Sequence, residues 1–402
     1  MKKMMSFCLI VWVLLVNSIN AQTTVRQTYY VNATNGDDAN NGRSEERAFK
    51  TMNKALESAK MGIVKTITII GTVSGFRIEN MGSDEITITG KPDASEADKA
   101  KINTSRDSVV VGGDTVVKLM YVTIEGRTGI YSNGNVTLAR NTVIQNCERG
   151  FDSRFARQRA STVLSDNAMI TGCSDYGIIG VTVIMRDDSC ITNNRIGFMS
   201  FSYESSLTMS GNAKISNNRE GGVRCIDNYS PVGILTMSEN AEISNNNTST
   251  TIDGYDWTTT NGGGVYVKNL VMNGGRIINN TAKGNGGGVY VERGTLSGNA
   301  RISDNTANMG GGVYLQGYSD SPITMEGGEI SGNKAEYGAG VFIESGTLNH
   351  KGGTITGNEA EFIGGGVYVG KNQYYPVTYT AGGGRVTGNT SGDMGDDNIF
   401  RQ

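Results

Sequence analysis

The residues best suited to chemistry sit in the stretch "CERGFDSRFARQR" and, two dozen residues later, in "MRDDS". Arg149, Asp152, Arg154, Arg157, Arg159, Asp187 and Asp188 combine guanidinium groups with carboxylates in an otherwise Gly- and Asn-rich chain. A base beside carboxylates that hold Ca²⁺ would suit proton abstraction next to a uronate, whose negative charge must be neutralised before the proton can leave. The same residues equally describe a solvated charged loop. His350, in "LNHKGG", is the only histidine and is expected to face outward as an ordinary repeat residue. Asp393, Asp396 and Asp397 in "GDMGDDN" match no calcium-loop spacing and read as a polar end cap, so no metal site is assigned.

Aromatic residues supply the second set of candidates. Tyr266, Tyr290, Tyr314 and Tyr368 each follow a glycine run and one valine, as in "GGGVYV", and Phe342 follows the variant "GAGV", so they should share one outward strand position and form a stripe. Such a stripe could stack on sugar rings or on a partner, or simply brace neighbouring strands. Tyr229, Tyr318, Tyr374 and Tyr375 fall in turns that also carry Pro231, Pro322 and Pro376, and Tyr255 and Trp257 lie in the insertion "TSTTIDGYDWTTTN". These are expected to project from the edge of the body as further contact candidates.

The elements that would position these residues follow from an internal repeat. Ile144, Ile170, Ile191, Ile215, Ile243, Ile277, Ile302, Ile330, Ile355 and Val386 recur at steps of 26, 21, 24, 28, 34, 25, 28, 25 and 31 residues. Each repeat contains three short pieces, such as "GVYVERG", "TLSGN" and "ARISDN", none longer than a short strand. One such unit cannot bury its apolar side alone, but stacked units make parallel sheets around a continuous interior. With the upstream pieces "KTITIIG", "EITITG", "YVTIEG" and "NVTLARN", the pattern predicts an all-β, single-stranded parallel β-helix of about 13 coils over residues 61–402, roughly 60 Å long. Gly310 to Gly312 are expected to supply positive φ and close backbone stacking at a corner.

Three residues after each anchor stand Cys147, Cys173, Asn194, Asn218, Asn246, Asn280, Asn305, Asn333, Asn358 and Asn389. Stacked asparagines can satisfy the backbone groups that a tight corner leaves unpaired, so this column reads as a structural ladder. Cys147 and Cys173 occupy it in adjacent coils, close enough for a disulfide; two stacked thiols are the alternative.

Residues 22–60 break the pattern with a strand, a polar loop and a helix whose apolar stripe is Ala48, Phe49, Met52, Ala55, Leu56 and Ala59. This segment should cap the first coil, whose strand edges would otherwise be open to other chains. Residues 1–21 begin with Lys2 and Lys3, continue through an apolar run and end at Ala21, the pattern of a secretory signal peptide. Without that segment 34 basic residues face 39 acids, which argues against a nucleic-acid partner, and no later stretch is apolar enough to span a membrane.

The strand-loop-helix segment resembles the N-terminal cap of pectate-lyase-like right-handed β-helix proteins, through Tyr30, Val31, Gly36, Asp38, Gly42, Phe49, Thr51 and Ala55. From Ile191 onward, "ISDNTANMGGGVY" and its relatives are similar to polymorphic outer-membrane protein repeats. The resemblance implies a right-handed β-helix displayed or released outside a bacterial cell, often as an adhesin. It departs in lacking a following membrane-barrel segment and, relative to pectin hydrolases, a Gly-His-Gly turn. The sequence therefore points to an exported, non-enzymatic β-helix that binds a polysaccharide or a host or cell-surface protein. A calcium-assisted polysaccharide lyase and a structural envelope component are the alternatives.

Overall fold

A computed structural model describes residues 28–61, 65–82, 84–155, 160–227, 230–248, 260–317, 322–392 and 397–402. Among them, one sheet of 13 parallel strands runs the length of the molecule, and its registered centre is Val73, Ile102, Ile124 and then every anchor from Ile144 to Val386. These side chains point inward and are buried, except Val386 of the last strand, which is partly buried, so the repeat steps read from the sequence are the coil lengths. Parallel pairing with right-handed crossovers makes the body a right-handed parallel β-helix.

The other two long faces are joined into a single 25-stranded sheet. The joining departs from the three short pieces expected per coil. Toward the C-terminus "VYVERGTL" is one eight-residue strand, Val289–Leu296, and Val341–His350 runs for ten residues. Gly294 and Gly346 lie within these strands, and Gly346 takes φ +95 where the chain bends between faces.

Inside, aliphatic residues stack on their counterparts in the next coil. One column reads Leu119, Leu138, Leu164, Met185, Met209, Met237, Met272, Leu296, Met325 and His350, and ends in register on the exposed Ala381. His350 therefore faces the interior and is fully buried, contrary to the outward position expected of it. Strand parity decides this, because the residue pairs with Met325 and not with its outward neighbours. Its Nδ1 lies 3.0 Å from the Tyr379 hydroxyl, while Nε2 has no hydrogen-bond partner among the described residues. Burial lowers its pKa below the usual imidazole range. The unfolded chain thus binds the proton more readily, and the stability His350 contributes is present above about pH 6.5 and lost as the pH falls below it. His350→Met restores the column's usual side chain. Its melting midpoint is expected to vary less between pH 7 and pH 5 than that of the parent, and parallel curves for the two would rule out a titrating His350.

The N-terminal cap is a strand and a helix. Strand β1 (Thr28–Asn32) adds in parallel to β2 (Thr66–Ile70), and helix α1 (Met52–Lys60) lies over the end of the rod. Thr51 caps α1 by accepting from the Lys54 amide at 3.2 Å, and Asp38 in turn accepts from the Lys50 and Thr51 amides, each at 2.9 Å. The predicted stripe, Ala48 to Ala59, is buried against the first coil.

At the corner after each anchor strand the asparagines form a continuous ladder. Asn305 Nδ2 donates to Asn333 Oδ1 at 3.0 Å and to the Ile277 carbonyl at 3.0 Å, and Asn305 Oδ1 accepts from the main-chain and side-chain nitrogens of Asn280 at 2.9 and 3.0 Å. The pattern repeats from Asn194 to Asn389 and ends on Asn398, whose Oδ1 accepts from Asn389 Nδ2 at 3.1 Å. Cys147 and Cys173 occupy the first two rungs as free buried thiols. The residue before each rung adopts left-handed φ, including Asn193 (57°), Asn245 (54°), Asp304 (58°) and Gly332 (65°), which confines that column to Asn, Asp and Gly.

The glycine triplets divide their work differently from the expectation. Of Gly310, Gly311 and Gly312 only Gly310 has positive φ, at 65°. The other two are required by proximity, since a Cβ on Gly312 would stand 2.6 Å from the Gly340 carbonyl oxygen.

Candidate functional site

One outward column on the large sheet organises both sets of functional candidates. In strict register it reads Arg77, Val110, Tyr131, Asp152, Ile179, Met199 and Arg224, then Tyr266, Tyr290, Tyr314, Phe342, Tyr368 and Phe400. The aromatic stripe and the charged cluster are thus successive stretches of one row. They differ in what covers them.

The aromatic stretch is covered. Adjacent rings stack with centroids 4.6, 5.0, 5.3, 4.6 and 5.2 Å apart from Tyr266 to Phe400. Tyr266, Tyr290, Tyr314 and Phe342 are nevertheless 2 to 6% exposed and form a core of their own, with Met309 and Tyr337 packed against it. Both covering residues end strands of a small five-stranded sheet that begins at Asn247–Thr248 and flanks the rod from there onward. The outward parity read from the sequence is correct, but the exposed platform is not formed. Arg224 closes the N-terminal end of the stack, lying 5.6 Å over the Tyr266 ring and donating from Nη1 to the Asn261 carbonyl at 3.0 Å. Burial lowers its pKa to about 10, which leaves it charged at neutral pH.

The charged stretch lies in coils before that flanking sheet and is open. Here a groove of about 660 Å³ is lined by Arg77, Arg106, Arg149 and Arg154, by Asp107 and Asp152, and by Phe76, Tyr131 and Phe155. Asn53 of α1 forms its end toward the cap. Arg149, Asp152 and Arg154 therefore converge as proposed from their spacing. Arg77, Arg106, Asp107 and Tyr131 were missed, because they come from earlier coils whose irregular sequence hides the register.

Asp152 is nearly buried and is held by Arg154, with Nη2 to Oδ2 at 2.6 Å and Nε to the two carboxylate oxygens at 3.0 and 3.2 Å. Arg149 lies 3.8 Å from the same carboxylate and 3.6 Å from Asp175, which also faces Arg195 at 3.3 Å. Donating these hydrogen bonds to Asp152 raises the Arg154 pKa, so this guanidinium stays protonated and cannot serve as a base. Arg77 pairs with Glu79 at 2.5 Å. Arg106 is exposed and makes no ion pair among the described residues. With four arginines and two aspartates the lining is net cationic.

Asp187 and Asp188 do not reach the groove. They sit at the corner between the Thr182–Met185 and Cys190–Thr192 strands, where Asp187 takes φ 59° and accepts from the Asp166 amide at 3.0 Å. Asp188 accepts from Asn212 Nδ2 at 2.9 Å. Their role is to hold a corner, as their Asp-Asp sequence at an αL turn position could have indicated. Arg157, Arg159, Tyr229, Trp257, Tyr255, Tyr318, Asp393 and Asp396 lie outside the described residues, as does the proposed signal segment 1–21. Tyr374 and Tyr375 do project, at 78 and 41% exposure, but in the last coil, at the opposite end of the rod from the groove.

The residues present do not suit calcium. Asp152 has both oxygens engaged by Arg154, and among the described residues no three His, Cys, Asp or Glu side chains converge. Among the same residues no helix is long and apolar enough to cross a membrane.

No protein-family model matches the chain, and no curated protein matches it. Among solved structures it is similar to the crystal structure of pectate lyase Pel9A, at 13% sequence identity over 83% of this chain and 81% of that one, with a TM-score of 0.37. The chemistry of the groove rests on its own side chains.

Proposed function

We propose that the protein is an exported, non-enzymatic β-helix that binds an acidic polysaccharide in the arginine-lined groove and so serves in adhesion to a glycan-bearing surface. The observation that carries this reading is the convergence of Arg77, Arg106, Arg149 and Arg154 on one open groove, with Arg106 exposed and in no ion pair among the described residues. Guanidinium groups match carboxylates and sulfates in shape as well as charge, and aromatic neighbours such as Tyr131 and Phe155 offer faces to sugar rings. Asp152 is held by Arg154 at 2.6 Å, with Arg149 3.8 Å away, so this carboxylate positions the two arginines and is itself engaged as an ion-pair partner. The groove therefore favours binding over proton abstraction.

The test is isothermal titration of the full chain with polygalacturonate and with a neutral glucan, while ultraviolet absorbance follows unsaturated products with and without Ca²⁺. Binding to the acidic polymer alone, weakened by salt and at least tenfold by Arg106→Ala, is the expected result, at about 1.4 kcal/mol for a charged hydrogen bond lost. Absorbance that grows with time would instead assign a lyase, and equal affinity for the neutral glucan would remove the electrostatic basis of the proposal.

A further inference from the structure

The cationic groove does not end at Arg154. A second cavity of about 170 Å³ adjoins it, sharing Arg154 and Phe155 and continuing over Ile179, Gly180, Ser200 and Phe201. Phe155 is 69% exposed and Phe201 48% exposed, unusually open positions for side chains of this size. The Arg154 guanidinium lies 5.7 Å from the Phe155 ring centroid, so the charged and aromatic portions meet at a shared pair of residues.

Register places the two cavities end to end along the rod. Their strands are consecutive on the sheet, running Arg77–Ile78, Val109–Val111, Thr128–Ser132, Arg149–Asp152, Tyr176–Ile179 and Ile196–Ser200. Five strand spacings of about 4.8 Å give a track about 24 Å long. The track begins with a cationic stretch and finishes on an apolar aromatic one, just short of the point where Arg224 and the flanking sheet close the row over.

We infer that the ligand is a linear acidic oligosaccharide lying parallel to the rod axis, with its charged groups on the arginines and a following sugar ring stacked on Phe155 and Phe201. This rests on the proposed binding of acidic glycans and adds to it a direction, a minimum length and a distinct aromatic subsite. Continuity with the arginine groove selects a sugar chain as the occupant. An isolated apolar patch would not carry a row of guanidinium groups at its edge, whereas a polymer with charged substituents and apolar ring faces meets both surfaces at once.

Titration with oligogalacturonates of increasing length tests this on the parent chain, Phe201→Ala and Arg106→Ala. Affinity is expected to rise with length until the track is filled. Phe201→Ala should weaken the longest oligomers about tenfold and leave the shortest unchanged. Phe201→Trp should restore the long-chain affinity, and Arg106→Ala should weaken every length. Length-independent affinity, or a Phe201→Ala effect equal at all lengths or absent at all lengths, overturns the aromatic subsite while the acidic-glycan reading stands. Absence of binding at every length overturns both.

Discussion

Asn305→Ala is expected to destabilise the protein by about 3–5 kcal/mol, which is large for a single polar substitution. The side chain is fully buried and closes four hydrogen bonds. Alanine leaves the Asn280 amide and one Asn280 Nδ2 hydrogen without an acceptor, and it strips the Ile277 carbonyl of a donor. Each buried group so orphaned costs about 1–3 kcal/mol. Because coil stability is a sum of nearest-neighbour terms, the damage should be local: hydrogen exchange should rise most in the coils carrying Asn280 and Asn333. Glycan binding in the groove, many coils away, should be unaffected. A melting midpoint equal to that of the parent would mean that the ladder does not hold the coils together.

Tyr314→Ala is expected to cost a similar amount, about 3–5 kcal/mol, for a different reason. The ring is 4% exposed and stacked between Tyr290 at 5.0 Å and Phe342 at 5.3 Å, so truncation opens a cavity and removes two aromatic contacts. Tyr314→Phe keeps the stack and loses the hydroxyl with its bond to Glu344 at 3.2 Å, so it should cost about 1 kcal/mol. Denaturant melts of the two variants beside the parent separate these contributions. Affinity for acidic oligosaccharides should match the parent in both. Lost affinity with unchanged stability would reinstate the stripe as a ligand platform, and so would contradict the covering role of Met309 and Tyr337.

The Asn ladder and the aromatic column were legible because each depends on residues at a fixed offset from an anchor within its own coil. Spacing from Ile302 identifies Asn305 as a rung, and strand parity after Gly312 turns Tyr314 outward. The column of Asn, Asp and Gly before each rung was equally accessible in "ISNN", "ISDN" and "ISGN", since only those types enter left-handed φ readily. The groove was only half legible. Arg149, Asp152 and Arg154 lie close together in sequence, while Arg77 and Arg106 join them through pairing across coils of irregular length.

By itself, then, the sequence determined the repeat, the parallel β-helix with its strand-helix cap, the inward aliphatic columns and the ladder at their corner, because period and parity act locally along the chain. Only the tertiary structure decided what is exposed. A side chain's outward direction follows from its own strand, but its burial depends on what another segment lays over it. Met309 and Tyr337 close one row above Tyr290, Tyr314 and Phe342, and the same row lies open above Tyr131 and Asp152. His350 shows the converse: a polar residue sits inside because cross-coil register with Met325 carries it there, and nothing in its neighbouring residues reveals that pairing.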